Sequence, residues 1–221
     1  MVARKRYGGG VEKWKLKKWY TVLAPPVFGQ VPLGTTPADE PDKLIGRVME
    51  TTLFDITGDF AHVHVKLYFQ VVKVEGDVAH TRFKGHELLR DYLRSLTRRK
   101  SSKITGIFNV WTKDGYGLRV TGIVFTRTRC RTSQKRDIRK KMQEIITKRA
   151  AESTLDEFIQ AMVYSDQENS LAFEIEQAAK KIFSVRKVEI AKSKLLWIMG
   201  PEGPQKAVVI SPLQLKAQAR G

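Results

Sequence analysis

The feature that most constrains the fold is a change of hydrophobic period near residue 132. Residues Ala61, Val63, Val65, Leu67, Phe69 and Val71 alternate with His62, His64, Lys66, Tyr68 and Gln70, which places one set on a buried sheet face and the other on a wetter one. Glu75-Gly76-Asp77 supplies turn chemistry before Val78 to Phe83, so these two runs predict an antiparallel hairpin. A second hairpin is expected where Ile104 to Thr112 and Tyr116 to Thr128 flank Lys113-Asp114-Gly115, because Asp-Gly tolerates the positive φ of a tight turn. Between the hairpins, Leu88, Leu89, Tyr92, Leu93 and Leu96 fall at helical spacing and predict a short helix over 86–96. Beyond residue 132 the spacing becomes three and four. Ile138, Met142, Ile145 and Ile146 form one stripe, and Leu155, Phe158, Ile159, Met162 and Val163 form a second behind the capping pair Thr154 and Glu157. Leu171, Ile175, Ala178, Ala179, Ile182 and Phe183 form a third, with Ser170 as its N-cap. Val185 to Met199 is apolar enough to return as strand. The expected class is α+β: a curved antiparallel sheet or β-barrel-like core with packed C-terminal helices.

This pattern divides the chain into a basic N-terminal extension (1–18), a β-rich core (19–131) with the inserted helix, a helical region with a returning strand (132–200) and a loose C-terminal tail (201–221). Within the core, Pro25, Pro26, Pro32, Pro37 and Pro41 make 25–43 read as loop, since proline fixes φ and lacks an N–H.

Charge narrows the partners. Forty Lys and Arg against 23 Asp and Glu leave +17 at pH 7, a surface that repels itself unless a polyanion neutralises it. No apolar run approaches the ~20 residues of a spanning helix, and the N-terminus lacks the apolar stretch of a secretory signal, so nucleic acid is expected rather than membrane. A single cysteine, Cys130, supplies neither an internal disulfide nor a zinc site and suits a reducing, cytoplasmic compartment.

The cations are concentrated. The extension holds Arg4, Lys5, Arg6, Lys13, Lys15, Lys17 and Lys18; residues 94–103 hold Arg94, Arg98, Arg99, Lys100 and Lys103 with no acid among 94–103. Residues 127–141 hold Arg127, Arg129, Arg131, Lys135, Arg136, Arg139, Lys140 and Lys141 against Asp137. Ser101 and Ser102 are expected to bind phosphate oxygens, and Thr132 or Ser133 to open a helix whose N-terminus seats an anion. By contrast, 151–179 carry seven acids and no Lys or Arg. RNA is favoured over DNA because zipper heptads, zinc-finger spacing and a clear helix-turn-helix are lacking. Trp14, Trp19 and Tyr20 lie beside Lys13 to Lys18 and can stack on bases, unless Trp19 and Tyr20 begin a core strand.

Catalytic machinery is not legible. Gly8-Gly9-Gly10 has no following Gly-Lys-Ser/Thr, and of His62, His64, His80 and His86 only the first two share a strand face, short of the three or four ligands that zinc wants. No catalytic residue, cofactor or metal is expected. The rival to a structural RNA-binding protein is an RNA-modifying or rRNA-processing enzyme, or an assembly factor, with a basic surface.

Several blocks appear in a telling order: Lys17-Lys18-Trp19-Tyr20 with Ala24-Pro25 and Phe28; Gly46-Arg47-Val48 with Leu53 and Asp55; Tyr92-Leu93-Arg94-Ser95; Thr112, Asp114-Gly115-Tyr116, Leu118-Arg119, Ile123 and Phe125-Thr126; and Ile138-Arg139-Lys140-Lys141-Met142 with Glu144-Ile145. In these the chain resembles the S-three-a family of small-subunit ribosomal proteins shared by archaea and eukaryotes, over nearly its whole length. The short stretch after Gly203 looks like an archaeal-type member. The resemblance implies a barrel-like core with packed helices on the platform of the small subunit, near the messenger exit and the 3′ end of its RNA. It implies small-subunit rRNA and neighbouring ribosomal proteins as partners, with messenger RNA close by, and no homo-oligomer. It also carries Lys17, Lys18, Arg47, Arg94, Arg119, Arg139, Lys140 and Lys141 over as RNA contacts or supports.

Overall fold

The structure, a computed structural model, describes residues 14–164, 169–200 and 203–207. In chain order these form β1 (Lys18–Leu23), β2 (Pro32–Ala38), β3 (Val48–Thr52), α1 (Leu53–Thr57), β4 (Val65–Glu75), β5 (Val78–Leu88), α2 (Arg90–Leu96), β6 (Lys103–Trp111) and β7 (Gly117–Thr126). There follow α3 (Thr132–Glu152), α4 (Leu155–Val163), α5 (Leu171–Lys180), β8 (Val185–Gly200) and β9 (Gly203–Lys206).

Among the described residues the strands make one open sheet with β5 as its trunk. One edge of β5 pairs along its length with β4, which pairs in turn with β3. Its other edge is shared. The first part, Val78 to His80, runs parallel to β1, and Gly85 to Glu87 run antiparallel to β8. Beyond β8 lie β7 and β6, and beyond β1 lies β2. At the fork the Thr81 hydroxyl donates to Leu23 O at 2.7 Å, and Arg82 Nη2 donates to Ala207 O at 3.1 Å, so side chains satisfy backbone where the edge changes partner. The sheet is therefore antiparallel except at β1–β5, and curved without closing.

Both expected hairpins are present. Gly76 (φ 58°) and Gly115 (φ 78°) occupy the left-handed positions of their turns. The differences lie at element ends and in the proline-rich stretch. The helix expected over 86–96 begins only at Arg90, because His86 and Leu88 are buried as the last residues of β5. The strand expected from Ala61 begins at Val65, after a 3-10 turn over Phe60–His62. Within the expected loop 25–43, Pro32–Ala38 pairs with β1; β2 is an edge strand, where proline's missing N–H is tolerated. Lys18 opens β1 rather than closing an extension, and Gly203–Lys206 pairs with β8 where a loose tail was expected.

The main core lies between the β6–β7–β8 sheet and the helices. Ile138, Met142 and Ile146 of α3 are fully buried, and each such burial contributes roughly 1.5–3 kcal/mol. They fit because Gly106 and Gly122 are register partners on β6 and β7. A Cβ at Gly122 would come within 2.7 Å of Met142 Cε, so the glycine pair makes the notch that seats the helix. A smaller cluster of Tyr20, Val22, Ala38, Leu44, Val71 and Ala79 fills the β1–β4 side.

Candidate nucleic-acid interface

The two basic segments, about 30 residues apart in sequence, meet at the open end of the β6–β7 hairpin. Ser102 N–H donates to the Thr126 hydroxyl at 2.9 Å, Thr126 N–H donates to Ser102 O at 3.0 Å, and Cys130 N–H donates to Ser102 Oγ at 3.2 Å. Ser102, Thr126 and Cys130 are buried. Around this knot Arg94, Arg98, Arg99, Lys100 and Lys103 are exposed, as are Arg127, Arg129 and Arg131. The serines expected to take phosphate are thus structural: Ser101 Oγ donates to Arg98 O at 2.6 Å, closing a turn in which Lys100 adopts φ 60°.

A half-buried charge network fixes where this loop starts. On α2, the Tyr92 hydroxyl donates to Glu189 Oε1 at 2.9 Å and accepts from Lys187 Nζ at 2.9 Å. Lys187 also pairs with Glu189 at 3.0 Å, and the His64 ring stacks on Tyr92 at 3.8 Å. Burial alone would lower the Lys187 pKa, but the Tyr92 hydrogen bond and the Glu189 charge outweigh it and raise it, so the ammonium stays charged and α2 is pinned to β8. Arg94, Lys103 and Arg90 then line a concavity of about 510 Å³ beside Asp91.

The second segment enters α3. Arg131 N–H donates to Gln134 Oε1 at 3.0 Å, so the helix begins on a side-chain acceptor rather than on a Thr132 or Ser133 hydroxyl. Lys135 is half-buried, and Arg136 and Lys140 are exposed. Arg139 Nε donates to Thr105 O at 3.0 Å, tying α3 to β6, and Lys141 pairs with Glu144 at 2.6 Å, so these two cations already have partners.

Other predicted residues lie elsewhere. Arg47 Nη1 donates to Thr36 Oγ1 at 2.9 Å on the β2 side, and Arg119 Nε donates to Asn109 Oδ1 at 2.9 Å on the sheet face away from α3. Lys15, Lys17 and Lys18 lie at the start of β1, with Lys17 Nζ 4.5 Å from the Trp14 ring. Tyr20 is in the core, as a strand residue would be, while Trp19 is exposed. Arg4, Lys5, Arg6 and Lys13 lie outside the described residues.

Sequence reasoning missed Lys181 and Arg186. Arg127 N–H donates to Ser184 O at 3.1 Å and Thr126 pairs with Val185, which brings the junction of α5 and β8 to the same edge. The signal was the run of cations that ends the acidic stretch at Lys180.

The other end of α3 is different. Asp114 Oδ2 accepts from Leu155 N–H at 2.9 Å and Lys113 N–H donates to Ser153 O at 3.2 Å, which docks the hairpin turn on α4. The Thr154 backbone and side-chain hydrogen bonds hold the Glu157 carboxyl below its usual range. Glu152, Asp156 and Glu157 are exposed there, and α3, 21 residues long, separates the two ends by roughly 30 Å.

The histidines expected to share a face do not form a ligand set: His62 sits in a 3-10 turn with Asp59 at 3.2 Å, and His64 faces Tyr92. Among the described residues no group of His, Cys, Asp and Glu could hold a metal ion, and no helix is long and apolar enough to cross a membrane.

The Ribosomal S3Ae family matches this sequence over residues 5–198. The small ribosomal subunit protein eS1 of Aeropyrum pernix is 74% identical over 209 residues, which covers 95% of this chain and 98% of that protein. The protein of the same description from Staphylothermus marinus is 62% identical over 215 residues, covering 97% and 99%. That from Saccharolobus islandicus is 54% identical over 202 residues, covering 91% and 94%.

Proposed function

From the premise that the chain belongs to the Ribosomal S3Ae family, we propose that it is a structural component of the small ribosomal subunit, gripping ribosomal RNA along the edge built by 94–103 and 127–140. Its place is then the ribosome, in the cytoplasm, with rRNA and neighbouring ribosomal proteins as partners, and its role is structural rather than enzymatic. A site on the platform near the messenger exit accords with the resemblance read from the sequence. The observation that carries the RNA edge is the Ser102–Thr126–Cys130 knot, which spends neutral groups on holding the backbone and leaves the surrounding arginines for phosphate. Phosphate contacts of this kind position a protein on folded RNA without reading sequence.

Reversing Arg98, Arg99 and Lys100 to Glu, or Arg127, Arg129 and Arg131, should leave the circular dichroism of the free protein unchanged and abolish co-sedimentation with small subunits. Binding of the natural protein to rRNA should weaken about 10³–10⁵-fold between 50 and 200 mM salt if about eight cations meet phosphates. Normal incorporation of both reversal variants would remove the edge from the RNA interface. Substoichiometric occupancy with turnover of a modified RNA would point to an enzyme instead.

A further inference from the structure

We propose that the face of the sheet opposite α3 is a second RNA site, one for a single strand, with phosphates against Lys84, Arg119, Lys194 and Lys206 and a base against Trp197. It is independent of the edge described above. Direct cross-strand partners point to the same face, so the register sets Gly85, Lys194, Arg119 and Asn109 in one row across β5, β8, β7 and β6. The neighbouring row is Trp197, Gly117 and Trp111. The helix α3 packs on the other face, through Gly106 and Gly122, so among the described residues no helix covers these rows.

The rows form a groove. Two depressions of about 350 and 470 Å³ share Lys84 and Lys194; the first is floored by Gly85, and the second reaches Arg119, Trp197 and Lys206. At Gly117 a Cβ would come within 2.8 Å of Trp197 and 3.1 Å of Trp111, so the missing side chain lets both indoles lie over β7.

The charges in the groove are unbalanced. Lys192 pairs with Glu87 at 2.8 Å, and Lys66 pairs with Glu50. Among the described residues no carboxylate lies within ion-pair distance of Lys84, Lys194 or Lys206, and Arg119 meets only the neutral Asn109 amide oxygen. Partial burial lowers the Lys84 pKa, and the neighbouring Lys194 and Arg82 charges lower it further. Residues 208–221 are not a matching occupant by charge, since they hold Lys216 and Arg220 and no acid. An acidic protein segment would answer the lysines but not the indoles. Flat aromatic surface beside a track of cations is what non-specific single-strand sites use, with stacking on the rings and phosphates on the amines.

The test uses the full-length chain and fluorescein-labelled oligouridylate, followed by anisotropy. Joint Arg119→Glu and Lys194→Glu substitution should weaken binding at least about tenfold and reduce the salt slope by roughly 1.4, as expected for two phosphate contacts on a single strand. Trp197→Leu should weaken it about tenfold, and the milder pair Lys84→Gln with Lys206→Gln should shift it in the same direction with circular dichroism unchanged. The Arg98, Arg99 and Lys100 reversal should weaken oligouridylate binding less than the Arg119→Glu and Lys194→Glu pair does, while weakening rRNA binding more than that pair does. The proposal is overturned if the sheet-face variants bind oligouridylate like the natural protein, or if only the edge reversal abolishes that binding. It is equally overturned if polyglutamate displaces the oligonucleotide at equal charge and Trp197→Leu has no effect, which would assign the face to an acidic protein.

Discussion

The two ends of the β6–β7 hairpin are built by the same device and carry opposite charge. At the open end the Thr126 hydroxyl accepts from Ser102 N–H and the Ser102 hydroxyl accepts from Cys130 N–H; at the turn Asp114 accepts from the backbone of α4. Long cations surround the first, and Glu152, Asp156 and Glu157 surround the second. At both ends short side chains do the holding, which leaves the long charged ones around them free of that task. The arginines of the open end need not serve the fold, so they are left to serve a partner. Where an arginine does serve the fold, as Arg139 does at Thr105 O, it is a weaker candidate for RNA.

The largest expected effect removes both ends together. His86 lies on the trunk strand beside β8, fully buried, with Nδ1 2.6 Å from Ser193 Oγ and Nε2 3.0 Å from Ile190 O. The neutral ring with the proton on Nε2 satisfies both contacts: Nε2–H donates to the carbonyl and the serine hydroxyl donates to Nδ1. Burial pushes its pKa down to about 4 from an ordinary 6.5. The unfolded chain therefore takes up a proton that the folded chain refuses, and the stability held above pH 6.5 is lost progressively down to about pH 4. The full loss is on the order of 3 kcal/mol. Urea midpoints of the natural protein should fall through this window, while His86→Gln, less stable at pH 7, should show a flatter dependence. Equal slopes for the two would refute a neutral His86.

Thr126→Val separates the ends. Valine keeps the volume but strands the buried Ser102 N–H, a loss of about 2 kcal/mol. Because the two basic segments then lose their common anchor, rRNA affinity should fall as well. Thr126→Ser should restore both, since it returns the hydroxyl, and a variant that lost stability but kept rRNA affinity would show that the knot does not organise the interface.

Periodicity made the hairpins and the three long helices legible, because each has a buried stripe or alternating face that local sequence encodes. What it could not show were pairings decided at long range. The β2 strand hides among prolines because an edge strand needs few donors, and β5 takes His86 from the expected helix because Ser193 and Ile190, more than a hundred residues away, satisfy its ring. The basic runs were legible as composition, but their meeting at one edge was not, and neither was the row of Gly85, Lys194 and Arg119, whose members come from three strands. Lys84 could not have been assigned to that face by strict alternation. It is the extra residue where the β4–β5 register shifts between Tyr68 and Phe69, and such a bulge turns its side chain out of sequence with its neighbours.

The smallest effect tests whether the acidic end is separate. Asp114→Ala removes the acceptor for Leu155 N–H at the first turn of α4, a capping loss of about 1 kcal/mol, and thermal unfolding should register it. Asp114→Asn should recover most of that loss, because an amide oxygen still accepts. The arginines lie roughly 30 Å away along α3, several times the ~8 Å screening length at physiological salt. Removing this carboxylate should therefore leave rRNA affinity unchanged within about twofold. A severalfold rise in affinity at low salt that persisted at 150 mM would mean that the turn lies within reach of bound RNA, and the two ends would then be one surface.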